Sequence, residues 1–280
     1  MSFISILRQA LYEESMKHYS RAFNSYNRAI AETKNPRTIA RLTARKGWCQ
    51  QHVGNQDQAM QTFAELAKNA EVPQAYLLTA IYYLKTDKLK SAKNMLNKGI
   101  EKYPDYLELY LTLASLLKDT ERANESIQVL KKALSQERLT RGKGGIERKD
   151  IWAELGNLYY ERGSYNSCIV CLKRSLKMDL EKHFLHYALL SKSYLKLNDP
   201  YNALKYIDYH LSYFEDLDPE DFITKARAHA RLGDNHLASA NLLQAYDSDG
   251  ILRLRTEEMA DFSVLVQSGF FTTLENLEIY

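Results

Sequence analysis

Apolar residues recur along this chain at i, i+3 and i+4, separated by short polar breaks. That spacing lays one apolar stripe along each of a series of helices. Three helix starts are signposted by a capping side chain followed by proline: Asn35-Pro36, Asp199-Pro200 and Asp218-Pro219. Gly54, Gly163 and Gly233 fall in breaks between apolar stripes and are expected in short turns between paired helices.

The stripes repeat at a fixed period. Seven small residues, Ala22, Ala59, Ala92, Ser126, Cys168, Ala203 and Ala238, are each followed four positions later by a large apolar one. Those partners are Tyr26, Phe63, Leu96, Leu130, Leu172, Ile207 and Leu242. Successive spacings of 37, 33, 34, 42, 35 and 35 centre on the length of about 34 residues expected for a helix–turn–helix repeat. Twelve residues before each small anchor stands another: Ala10, Gly47, Ala80, Ala114, Gly156, Ser191 and Ala226. Two antiparallel helices approach closely only where side chains are small, so each pair of anchors predicts a crossing point.

Several segments resemble the tetratricopeptide repeat (TPR) family. Trp152, Leu155, Gly156, Tyr159, Gly163, Tyr165, Cys168, Leu172 and Ser175 stand at its hallmark positions, as do Tyr76, Ala80, Tyr83, Ala92, Leu96, Gly99 and Pro104. Glu13, Gln50 and His229 depart from it where a tyrosine is expected midway along the first helix of a repeat, and Leu66 and His210 depart at a third small position. The resemblance implies an all-α, right-handed superhelical α-solenoid of antiparallel helix pairs. About seven repeats are expected, over 3–35, 36–72, 73–104, 105–139, 149–180, 181–217 and 218–250, with an extended loop at 140–148 and a capping helix and tail at 251–280.

Composition agrees with helices on short turns, for 280 residues include only 11 Gly and 5 Pro. Hydrophobic residues at 45% and a net charge of +3 exclude a disordered chain, and a balance this mild does not point to nucleic acid. Three cysteines, Cys49, Cys168 and Cys171, are no secreted disulfide framework. Arg8 interrupts the N-terminal apolar stretch before a signal sequence could form, and no stretch is long enough to span a membrane. A cytoplasmic location is expected, with no membrane partner.

Candidate chemistry is sparse. Cys168-Ile-Val-Cys171 has redox spacing but falls inside a helix at a small-residue packing position, and core cysteine is the expectation. Neither His183 with His186 nor His229 with His236 has further ligands at metal-binding spacing. H-E-x-x-H, G-x-S-x-G and G-x-G-x-x-G are absent, and the basic run 140–149 lacks phosphate-loop spacing. No catalytic, cofactor-binding or metal-binding residue is assigned, and no enzyme is expected. Met259, Phe262, Leu265 and Val266, followed by Phe270 and Phe271, read as a helix that closes the last repeat.

By the resemblance, the first helix of each repeat lines a concave groove suited to a partner peptide or helix. The positions assigned to it are Arg41, Trp48 and Gln51; Leu77, Ile81 and Lys85; Leu111, Ser115 and Lys118; Asn157 and Tyr160; Lys192 and Lys196; and Arg227 and Arg231. Trp48 is the expected anchor. Lys192, Lys196, Arg227 and Arg231 make the C-terminal end basic, so an acidic segment is expected there. Ala153 and Leu189 stand where a chaperone-tail clamp needs Lys and Asn, which removes that ligand. The function expected is a non-catalytic interaction scaffold binding a protein or peptide segment. A peptide-sensing regulator and an RNA-binding helical repeat are the alternatives, and self-association is left open.

Overall fold

Residues 2–69, 72–119, 122–136, 146–178, 185–213, 218–249, 251–252 and 254–272 are described by a computed structural model. Seven antiparallel helix pairs follow one another: α1 (Phe3–Ser15) with α2 (Tyr19–Ala31), α3 (Pro36–His52) with α4 (Gln56–Asn69), and α5 (Pro73–Lys85) with α6 (Leu89–Lys102). Then come α7 (Leu107–Asp119) with α8 (Ala123–Ser135), α9 (Arg148–Glu161) with α10 (Tyr165–Met178), α11 (Leu185–Lys196) with α12 (Pro200–Tyr213), and α13 (Pro219–Arg231) with α14 (Asn235–Asp249). A short α15 (Thr256–Met259), a 3-10 turn (Ala260–Phe262) and α16 (Ser263–Gln267) follow, and no strand occurs among the described residues. The architecture is an all-α solenoid of helix pairs. It divides into two compact units, Met1–Arg148 and Lys149–Tyr280.

The anchors explain how each pair closes. All fourteen small residues are buried, as are the seven large partners. A Cβ added at Gly47 would lie 2.6 Å from the Phe63 ring, and one at Gly156 2.5 Å from Leu172. The large residue of one helix therefore sits over the small residue of the other. Each such side chain removed from water contributes about 1.5–3 kcal/mol. Where the small residue is serine, its hydroxyl donates to the facing helix: Ser126 to the carbonyl of Ala114 and Ser191 to that of Ala203, both at 2.8 Å. The bond satisfies a buried polar group at the cost of no extra volume.

One turn design joins the paired helices in six of the seven pairs. Lys17, Gly54, Asp87, Gly163, Asn198 and Gly233 all have φ between 55° and 88°. In each, the next residue's N–H reaches back five positions, as in Asn55 to Gln50 and Ser164 to Tyr159, and the left-handed residue bonds three back. This is the Schellman helix end, for which glycine is favoured because it carries no Cβ. Three turns use Lys, Asp or Asn instead, so composition alone finds only half of them.

Departures from the repeat pattern also have local reasons. Glu13 accepts from Ser25 at 2.6 Å and Gln50 from Thr62 at 2.7 Å, each a polar pair across the two helices where other repeats place a tyrosine. His210, in place of a small residue, pairs with buried Asp221 at 3.0 Å. His229 is buried, and burial pulls its pKa below the ordinary value.

Candidate functional site: two walls of first helices

In the unit Met1–Arg148, the first helices of successive pairs lie side by side, α3 against α5 and α5 against α7. The wall they make carries two hollows. A cavity of about 250 Å³ opens at the C-terminal ends of α1, α3 and α5 and is lined by Glu14, Tyr19, Trp48, Cys49, His52 and Lys85. Trp48 is held edge-on by Phe63 and Tyr82, at ring distances of 5.3 and 5.8 Å. Its other contact is Lys85, whose Nζ lies 4.4 Å from the ring centre. The indole thus packs into the core of the pair and still lines the hollow, and Lys85 adds a cation–π contact. Tyr19 and His52 stack at 4.4 Å on the far side. Glu14 is held by Arg45 at 2.7 Å and by the Tyr26 hydroxyl, and burial together with this carboxylate pushes the Tyr26 pKa up. Burial also raises the Cys49 thiol to about 12, so it stays protonated.

The second hollow, about 390 Å³, lies at the N-terminal ends of α3, α5 and α7, among Arg37, Arg41, Gln74, Leu77, Leu78, Tyr106 and Glu108. Asn35 caps α3 through Thr38 N–H at 3.1 Å and so sets the direction in which Arg37 and Arg41 emerge one turn apart. Of the expected groove residues, Arg41 and Leu77 fall here, and Trp48 and Lys85 in the first hollow. Arg37, Gln74 and Tyr106 were not anticipated. Gln51, Ile81, Leu111 and Lys118 are half-buried and Ser115 is exposed; neither hollow includes them.

In the unit Lys149–Tyr280 the wall is built from α11 and α13 and is covered. Arg227, only 6% exposed, donates to Asp261 at 2.7 Å and to Glu258 at 2.9 Å. Arg231 donates to Asp261 at 2.7 and 3.1 Å and to the Leu195 carbonyl. Lys196 meets Glu257 at 2.9 Å, and Lys192 meets Glu220 at 3.4 Å. The four cations for which an acidic segment is expected thus meet carboxylates of the chain itself, Glu220 and residues 257–261. Phe262 and Leu265 follow residues 257–261 into the core of the last pair beside Ile223, Leu242 and Ala245. Burial would raise the Glu258 pKa, but hydrogen bonds from Arg255 and the charge of Arg227 hold it below the ordinary carboxylate value. Earlier in this unit, Asn157 donates to Glu154 at 3.3 Å and Tyr160 packs edge-on against Tyr165.

Other candidates resolve simply. Cys168 and Cys171 are buried free thiols, with Cys168 against the Ser193 hydroxyl at 3.3 Å. Among the described residues no group of three or more His, Cys, Asp or Glu is placed to hold a metal ion. No helix of the described residues is long and apolar enough to cross a membrane. The basic run 140–149 lies mostly outside the described residues, as does His183.

The tetratricopeptide repeat family profile matches residues 107–138 and 150–182. No curated protein sequence matches this chain. Among solved structures, the fold is similar to the C-terminal part of a TPR repeat-containing protein from Cytophaga hutchinsonii, with a TM-score of 0.62 at 14% identity, over 91% of this chain and 98% of that one. It is similar also to Pseudomonas aeruginosa PilF, with a TM-score of 0.60 at 16% identity, over 82% of this chain and 99% of PilF. A third likeness is to YrrB, described as a TPR protein with an unusual peptide-binding site, with a TM-score of 0.55 at 16% identity over 67% and 92%. Residues 107–138 and 150–182 thus carry tetratricopeptide repeats, and the described helix pairs have the fold of tetratricopeptide repeat structures.

Proposed function

We propose that this protein is a non-catalytic interaction scaffold that binds an extended segment of a partner protein on the α3–α5–α7 wall. The observation that carries the reading is the pair of hollows on that wall, one walled by a half-buried tryptophan and one by two arginines. Half-buried tryptophan and exposed arginine are the side chains that dominate binding hot spots. The wall of the other unit does not compete for this role, because Glu220 and residues 257–261 already meet its cations. YrrB, similar in fold, is described by its peptide-binding site, which fits the same use of the architecture.

Affinity capture with the wild type beside a Trp48→Ala, Lys85→Ala double variant tests the reading. Proteins retained by the wild type and lost by the variant are the expected outcome; identical retention by both overturns the assignment of this wall. Nuclease treatment before capture should leave the retained set unchanged.

A further inference from the structure

Away from both walls, the second helix of the sixth pair, α12, carries an exposed tyrosine stripe. Tyr201, Lys205, Tyr209 and Tyr213 recur every four residues and all are exposed. Tyr209 and Tyr213 flank the half-buried Tyr187 of α11 at ring distances of 5.7 and 6.4 Å, and the Tyr213 and Tyr187 rings lie within 9° of parallel. Behind Tyr187 stands Tyr206 at 6.2 Å, and behind that Tyr194 at 5.5 Å, whose hydroxyl accepts from Lys173 at 2.6 Å. The surface rings are therefore backed by a packed row and lose little freedom when a ligand covers them. The free polar groups of the stripe can all donate. Among the described residues the side chains of Tyr201, Lys205 and Tyr209 have no hydrogen-bond or ion-pair partner, and Asp208, the one carboxylate of α12, is met by Lys225 at 2.9 Å.

Rings to lie against, and donors with no free carboxylate beside them, call for a chain with open carbonyls and no N–H of its own to place. A polyproline II segment has that chemistry, for its carbonyls make no internal bonds and proline carries no N–H. A partner helix would arrive with its backbone already satisfied and would cover the Lys205 ammonium and the tyrosine hydroxyls without supplying acceptors. A nucleic-acid strand would meet a unit in which 20 Asp and Glu stand against 14 Lys and Arg. Length agrees as well. Tyr201 and Tyr213 are 12 residues apart, about 18 Å along α12, and six residues of polyproline II cover about the same span in two turns. We propose that this face docks a proline-rich segment of a partner protein. A proline ring lies on Tyr187 between Tyr209 and Tyr213, and Lys205 and Tyr201 donate to carbonyls further along the segment. The site belongs to a different unit from the α3–α5–α7 wall, so it goes beyond the scaffold reading and is tested apart from it.

The test uses the full chain and three fluorescent probes: a decaproline peptide and an alternating Gly-Ser decapeptide, both acetylated and amidated, and a single-stranded uridine decamer. Decaproline should bind about tenfold more tightly than the Gly-Ser peptide, the scale of one aromatic anchor. In Tyr209→Ala, Tyr213→Ala the two peptides should come within about twofold, with the helical circular dichroism unchanged. Lys205→Ala alters a single exposed side chain and should weaken decaproline about threefold, as one lost hydrogen bond does. Trp48→Ala, Lys85→Ala should bind decaproline as the wild type does. Equal binding of the two peptides, a preference that survives the double tyrosine variant, or tighter binding of the uridine strand than of decaproline overturns the proposal and leaves the scaffold reading standing.

Discussion

In the unit Lys149–Tyr280 the cations of the first-helix wall, Lys192, Lys196, Arg227 and Arg231, each meet a carboxylate between positions 220 and 261. In Met1–Arg148, Arg37 and Arg41 occupy the corresponding kind of surface and meet none among the described residues. Both sets look alike as a run of basic positions on successive helices. What separates them is desolvation. A guanidinium as enclosed as Arg227 is stable only with its charge answered on the spot, whereas Arg41 keeps water around it until a ligand replaces that water. A basic wall is therefore a binding candidate only for the cations left over after internal partners are counted.

The sharpest way to break this comparison is to remove one cation from each wall. Arg227→Ala leaves Glu258 buried and Asp261 nearly so, each short of a partner, and should cost about 3–5 kcal/mol in the second unit. Arg41→Ala should change stability by no more than about 0.5 kcal/mol. Trp48 and Trp152 lie one in each unit, so denaturant unfolding followed by fluorescence in Trp48→Phe and Trp152→Phe backgrounds reads the two separately. Equal losses would show that the two sets of cations are not different in kind.

Packing at the crossing points should differ less. Gly47→Ala drives a methyl against Phe63, whose ring is stacked on Tyr82 at 4.3 Å and has nowhere to move. Overpacking of about 1–3 kcal/mol, offset by about 1 kcal/mol of helix preference for alanine, predicts a modest net loss in the first unit. Gly156→Ala meets the flexible end of Leu172 and should cost less. A Gly156 variant that proved the worse would mean that ring stacking does not stiffen the first unit.

Acid should act on two buried groups of the second unit in turn. The folded pKa of His229 lies below its ordinary 6.5, so the unfolded chain takes up the proton earlier. The stability this contributes is complete above about pH 6.5 and declines as pH falls toward the depressed value; His229→Phe should flatten that limb. Glu258 is likewise depressed below its ordinary 4.5, so its contribution is present above that pH and is lost as pH falls through the folded value. Glu258→Gln should remove its share of this second step, seen as a shallower fall of the unfolding midpoint in that range, with Glu257 and Glu125 still contributing. A small gain is expected at a turn: Lys17→Gly relieves a left-handed lysine and should stabilise the first unit by about 0.5–1 kcal/mol, read from the Trp48 transition.

The helix pairs were legible in the sequence because their cause is local in kind: a small residue, a large one four later, and another small one twelve before. Turns were half legible, since Gly54 announces a left-handed residue and Lys17 does not. The walls were less so. Trp48, Lys85, Arg41 and Leu77 follow from counting positions within each repeat, but Arg37 and Tyr106 precede the helix positions counted, and Gln74 looked like any polar surface residue. The closure of Arg227 by Glu258 and Asp261 joins groups more than thirty residues apart. Charge listed by position shows the attraction available, not who answers it.

The segment around Phe262 and Leu265 bears on growth as well as on closure. Helix-pair stacks propagate by laying one pair's exposed face on the next, and an uncovered face at one end would let a second molecule continue the series head to tail, a contact that gives an open filament wherever its rotation does not close. Here the outer face of the last pair is occupied by the chain's own apolar side chains, locked down by three acidic ones. A second molecule stacking on that face would first have to displace Phe262 and Leu265 from it.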